Sequence, residues 1–142
     1  MNLFDALLRY ETDLWNHVNQ RLREAGGPTL AVLSALRVIG RYSPSARVQE
    51  LRDELRITVG AASKLVDRLE KDGLAQRHPH PSDRRSSFVS LSGAGEQALE
   101  FGLRIMQDAL DEHLAGEDPT DLVSALQRLD GRLSGAAAET SR

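Results

Sequence analysis

Leu3, Leu7, Leu14, Val18 and Leu22 recur at helical spacing through the first segment, and Phe4, Leu8 and Trp15 fall on an adjacent stripe. The two stripes predict a helix of about twenty residues with a broad apolar face. Gly26-Gly27-Pro28 ends it, and a terminal helix this apolar needs a partner to cover it. Thr29 is placed to cap a second helix that turns Leu30, Leu33, Leu36, Val38 and Ile39 inward, and Ser43-Pro44-Ser45 breaks that helix. A short third helix over 48–55 directs Leu51 and Leu55 to the core, without a clean N-cap residue. Ile57-Thr58 forms a tight turn, and Thr58 caps a fourth helix over 59–71. Its inward side is Ala62, Leu65, Val66 and Leu69; Gly60, Ala61, Ser63, Lys64, Asp67 and Arg68 face outward, and Gly73 is the stop signal.

From Leu74 the period changes to two. Residues 74–78 and 87–91 predict two strands, joined by a connector of Pro, Ser, Asp and Arg residues with turn chemistry. Ser92 caps a long fifth helix with Leu99, Leu103, Met106 and Leu110 on one stripe. Gly116 to Asp118 interrupts, Pro119 suits the first position of a sixth helix, and Leu122, Leu126, Leu129 and Leu133 make that helix amphipathic. The pattern predicts a mainly α fold with a small β-hairpin wing (α+β), organised as one domain over 1–142. Residues 29–92 form a winged helix-turn-helix, residues 1–25 and 93–134 supply dimerisation helices, and 135–142 is expected to be a disordered tail.

Composition removes several classes of function. The chain has no cysteine, which excludes disulfides, thiolate nucleophiles, thiol redox sensing and Cys-ligated zinc. No apolar run is long enough to cross a bilayer, and Asp5, Glu11 and Asp13 interrupt the first segment, so neither a signal peptide nor a membrane contact is expected and the protein is placed in the cytoplasm. No serine sits in a nucleophile elbow, no Gly-rich loop cradles a phosphate, and the acids fall on solvated helix faces, so an enzyme is not expected. The net charge is −3, yet its distribution is uneven. Residues 41–90 hold ten Lys/Arg against seven Asp/Glu, a net of +3, and the remainder holds eight against fourteen, a net of −6. A basic centre between acidic ends fits a DNA-reading head on a dimer arm.

Short helix, tight turn, second helix and hairpin together suit duplex DNA. The fourth helix is narrow enough for the major groove, its N-terminal amides favour phosphate, and Gly60, Ala61 and Ser63 allow close backbone approach. Lys64 and Arg68 can reach phosphates or guanine edges, and a hairpin tip with Arg84 and Arg85 can reach the adjacent minor groove. Leu65-Val66-Asp67-Arg68-Leu69-Glu70, then Gly73-Leu74, then Asp83-x-Arg85-x5-Leu91-Ser92-x2-Gly95 resembles the MarR family of multiple antibiotic resistance regulators. The resemblance is densest over 48–96, and the flanking helices follow the family's order; its one departure is Ser92, where the family often has threonine and either hydroxyl can cap. The resemblance implies a homodimer that binds pseudo-palindromic double-stranded DNA, commonly as a repressor released by a small aromatic or apolar effector. It also implies that Arg85 enters the minor groove and that Asp83 holds the wing-tip arginine in place.

The candidate DNA contacts are therefore Thr58, Gly60, Ala61, Ser63, Lys64 and Arg68 on the fourth helix and Asp83, Arg84 and Arg85 on the wing. Asp67 is expected to pair with a neighbour, since a carboxylate beside phosphate repels. His78-x-His80 lacks a nearby carboxylate or third ligand, and His17 and His113 lie on outer helices, so no metal or other cofactor is expected. Trp15 is expected to anchor the core or a dimer interface. Gly102, inside a helix, fits either a close helix approach in a dimer or simple tolerance. A winged helix used only for protein–protein contact remains the alternative; a basic wing tip beside a basic helix face is a feature it does not need.

Overall fold

Helix α1 (Leu3–Glu24) opens the chain in the computed structural model, which describes residues 1–80, 82 and 87–140 (Ala138 by its backbone only). Asn2 caps it by accepting from the Asp5 amide at 2.9 Å, and Gly26 follows its end at φ +73°. Helix α2 (Leu30–Tyr42) starts where Thr29 accepts from the Val32 amide at 3.2 Å. Helix α3 (Val48–Leu55) is closed at its start by a side chain three residues into the helix, because Glu50 accepts from the Arg47 amide at 2.8 Å. Helix α4 (Val59–Lys71), strands β1 (Ala75–His78) and β2 (Phe88–Leu91), and helices α5 (Gly93–His113) and α6 (Pro119–Thr140) complete the order.

The chain divides into two compact units, Met1–Ala109 and Leu110–Arg142. In the first, α2 supplies the centre of the core, with Val32, Ala35, Leu36, Val38 and Ile39 all buried. Leu51 of α3, Ala62, Val66 and Leu69 of α4, and Ala75 and Val89 of the hairpin close around it. The strands pair antiparallel, with Ala75 opposite Leu91 and His78 opposite Phe88. Val89 also donates its amide to the Ala46 carbonyl oxygen at 2.8 Å, which ties the hairpin to the start of α3. A two-stranded hairpin of this length is marginal alone, so such ties to the helices hold it. Gly102 makes room within one protomer: a Cβ there would stand 2.7 Å from Leu33 Cδ1 and 3.2 Å from Pro28 Cγ.

Along α1 only Val18 and Leu22 are buried, whereas Leu3, Phe4, Leu7, Leu8 and Trp15 are exposed. In the second unit Leu122, Val123, Leu126, Leu129 and Leu133 of α6 are likewise exposed. The helix continues to Thr140 and does not stop near residue 134, so residues 135–140 are helical where the small, polar composition predicts a disordered tail. Ala136, Ala137 and Ala138 are the reason, since alanine is the strongest helix former and needs no packing to stay in register. No described helix is long and apolar enough to cross a membrane.

Candidate nucleic-acid interface

The turn into α4 is set by backbone conformation as much as by Thr58. Arg56 adopts the left-handed region at φ 56°, which closes α3 and lets the Ile57 amide donate to the Arg52 carbonyl oxygen at 3.2 Å. Ile57 then packs against the core, and Thr58 Oγ1 accepts from the Ala61 amide at 3.1 Å. Thr58 is thus a structural cap, as its spacing predicts. Thr58→Ala is expected to cost about 1 kcal/mol of stability, read as a lower melting temperature at fixed protein concentration.

With Ala62, Val66 and Leu69 buried, the opposite side of α4 is fixed outward. Gly60, Ala61, Lys64, Asp67 and Arg68 are exposed and Ser63 is half-buried. A Cβ on Gly60 would meet only Thr58 Oγ1, at 4.0 Å. The fold itself therefore makes no demand for glycine there, and the low profile of the first turn is available to something outside the chain. Arg68 Nε donates to Asp72 one turn on, at 3.1 Å. Both groups are exposed, so the pair contributes little stability and competes weakly with another anion. Lys64 has no ion-pair partner among the described residues.

Asp67 pairs as expected, and its partner is Arg77 of β1, at 2.7 Å. Arg77 also donates to Glu70 and, more weakly, to the Ser63 carbonyl oxygen (3.3 Å) and hydroxyl (3.4 Å). Burial works against the Arg77 charge, but the hydrogen bonds it donates to Asp67 and Glu70 outweigh that and raise the guanidinium above its ordinary pKa. Beside this group a cleft of about 400 Å³ opens between α3, α4 and the hairpin root, lined in part by Arg47, Gln49, Arg52, Ser63, Arg77 and Ser87. The Arg47 guanidinium lies 4.9 Å above the Phe88 ring, which holds a cation at the base of the wing. Arg52 donates to Asp53 at 2.8 Å, and that hydrogen bond lowers the Asp53 carboxyl pKa.

The wing histidines are engaged within the hairpin. His78 Nε2 and the Ser90 hydroxyl are 2.6 Å apart across the strands. The His80 ring lies 5.7 Å from that of Phe88, and its Nδ1 accepts from the Ser82 amide at 3.2 Å. Asp83, Arg84 and Arg85 lie outside the described residues. Arg47, Arg52 and Arg77 were not singled out by spacing or charge in the sequence. The available signal was the pair Asp67 and Glu70 on an otherwise basic helix face, which calls for a cation from elsewhere in the fold.

A model of the MarR family matches residues 27–86. The HTH-type transcriptional regulator MhqR of Bacillus subtilis is 28% identical over 128 residues, 89% of this chain and 79% of its own length. The multiple antibiotic resistance protein MarR of Escherichia coli is 30% identical over 80 residues, 56% of each chain. A mutant of that protein, crystallised with operator DNA, superposes with a TM-score of 0.72 at 24% identity over 94% of this chain and 99% of its own. CouR from Rhodococcus jostii, bound to p-coumaroyl-CoA, superposes with a TM-score of 0.76 at 21% identity over 87% of this chain and 86% of its own.

Proposed function

This chain belongs to the MarR family, and from that premise we propose that it is a dimeric, sequence-specific DNA-binding transcription regulator that represses from pseudo-palindromic operators. The observation that carries this reading is the outward face of α4. It presents a capped first turn with Gly60 and Ala61, then Lys64, all exposed and none needed by the core behind them. Such a face has the slimness to enter a major groove and the charge to meet phosphate there. Lys64 and Arg68 serve as phosphate or base contacts, Ser63 lines the approach, and Thr58 holds the helix N-terminus in shape. The wing-tip residues Arg84 and Arg85 reach the neighbouring minor groove, with Asp83 positioning Arg85.

Two heads on one dimer read half-sites about one helical turn apart, centre to centre. The exposed apolar residues of α1 and of α6 support that dimer. A small aromatic or apolar effector releases the DNA by binding the off-DNA geometry better, and tenfold weaker binding needs only about 1.4 kcal/mol of coupling. The complex of CouR with p-coumaroyl-CoA supports this chemistry by analogy of fold. With no cysteine in the chain, release by thiol oxidation has no residue to act on.

Fluorescence anisotropy on the gene's own upstream DNA, across a salt series and with phenolic compounds added, tests the reading. Arg85→Ala is expected to weaken operator binding by about 1–3 kcal/mol and lower the salt slope by about one, with the dimer intact. Lys64→Ala, as a phosphate contact, is expected to weaken operator and random DNA alike. Binding by Arg85→Ala equal to wild type removes the wing from the interface. A wild-type protein that binds no duplex at all favours the protein–protein alternative.

A further inference from the structure

Ser63, Asp67 and Glu70 stand at intervals of four and three residues, so they form one line along two turns of α4. Arg77 spans that line from the neighbouring strand. Its Nη1 donates to Asp67 Oδ1 and Glu70 Oε1, its Nη2 to the Ser63 carbonyl oxygen and hydroxyl, and its backbone amide to Glu70 Oε2 at 3.4 Å. Its side chain is only 26% exposed, unlike the surface pair Arg68–Asp72. We propose that Arg77 is a positioning residue for DNA recognition, one that fixes the angle of the hairpin against α4 so that wing and helix address one site together. This rests on the DNA-binding function proposed above.

Two physical points carry it. A planar fork with several donors can address separate acceptors at once in one geometry, which a lysine ammonium on a flexible stem cannot. The bonds also run between the two elements proposed to enter adjacent grooves, so they set a relative orientation and not merely a local conformation. Asp67 and Glu70 share the same guanidinium, which offsets one of their two negative charges and holds both carboxylates toward β1. Random DNA needs charge alone, whereas an operator needs helix and wing in register. Loss of the Arg77 geometry therefore acts on discrimination more than on general affinity.

The test uses the full-length protein with Arg77→Lys and Arg77→Gln. The probes are a duplex enriched by the wild type from a randomised pool and a random duplex of equal length, titrated by anisotropy at one salt concentration. Both variants are expected to lose about tenfold or more in the ratio of operator to random affinity, comparable with one mismatched base pair. Combining Arg77→Gln with Asp67→Asn and Glu70→Gln removes the stranded charge and is expected to leave that ratio low. A wild-type ratio in Arg77→Lys, or its recovery in the triple variant, overturns the proposal, because charge and not geometry is then sufficient. Should the glutamine variants not fold, the lysine variant decides alone. A wild type that enriches no duplex points to failure of the DNA-binding reading instead.

Discussion

Gly95→Ala is expected to destabilise the protein by roughly 3 kcal/mol or more, the scale of a severe overpacking defect. Gly95 is buried in the first turn of α5, and a Cβ built there stands 1.9 Å from the Leu74 carbonyl oxygen and 3.0 Å from its carbonyl carbon. The obstacle is backbone, so no rotamer change relieves it. The Leu74 oxygen also accepts from the Ser92 amide at 3.0 Å, and displacing it breaks the closure between α4, β1 and α5. Gly131 and Gly135 supply the control, since a Cβ at either meets nothing within 4 Å. There Gly→Ala is expected to be neutral or stabilising by up to about 1 kcal/mol, because it removes only backbone freedom from a helix. Thermal melts at one dimer concentration separate the cases. A Gly95→Ala protein that melts like wild type rules out the close approach of α5 to Leu74.

Leu126→Asp combined with Leu129→Asp is expected to abolish the dimer and reduce operator affinity by about 100-fold or more, since each head then binds without the tethering advantage of its twin. Leu126 and Leu129 are 60% and 53% exposed within the protomer, so charges there disturb intramolecular packing less than they would a covered interface. Placed in an apolar interface, the same carboxylates go unpaired and disfavour association strongly. Sedimentation or light scattering reads the oligomeric state, and the exposed neighbour Gln127→Asp serves as the comparison. Folded monomers support the interface. A folded dimer with wild-type DNA affinity excludes this stripe from the interface.

Much of the fold was legible because local signals and long-range packing agree. Thr29 and Thr58 each cap the helix their spacing predicts, and Gly73, at φ +72°, ends α4 as expected. The change of period at Leu74 marks the hairpin to within one residue at either outer end. The start of α3 was harder, because its orphan amide is satisfied from inside the helix by Glu50 and not by a residue in the usual capping position. The tail of α6 is hard to read because small, polar composition and alanine's helix propensity point in opposite directions there. At the site, the outward face of α4 followed from periodicity alone. Arg77 did not, since its role depends on β1 running beside α4, and no spacing along the chain encodes that adjacency. Gly102 is illegible for a related reason: its neighbours Leu33 and Pro28 are remote in sequence.

Ser92 closes the root of the hairpin with its hydroxyl and its amide. Its hydroxyl donates to the Gly73 carbonyl oxygen at 2.6 Å and accepts from the Gly95 amide at 3.0 Å, while its own amide donates to Leu74. The chain that leaves α4 at Gly73 and returns at Ser92 is thus sealed at its root, and everything between is a closed excursion. Lengthening such an excursion costs little, since closure entropy grows only with the logarithm of loop length. Changes of length between His78 and Phe88 are consequently expected to cost the helices little stability, which melting of insertion variants checks. If the wing contacts DNA as proposed, a regulator built this way changes its reach and its chemistry there without renegotiating its core, and binding preference diverges faster than the fold that carries it.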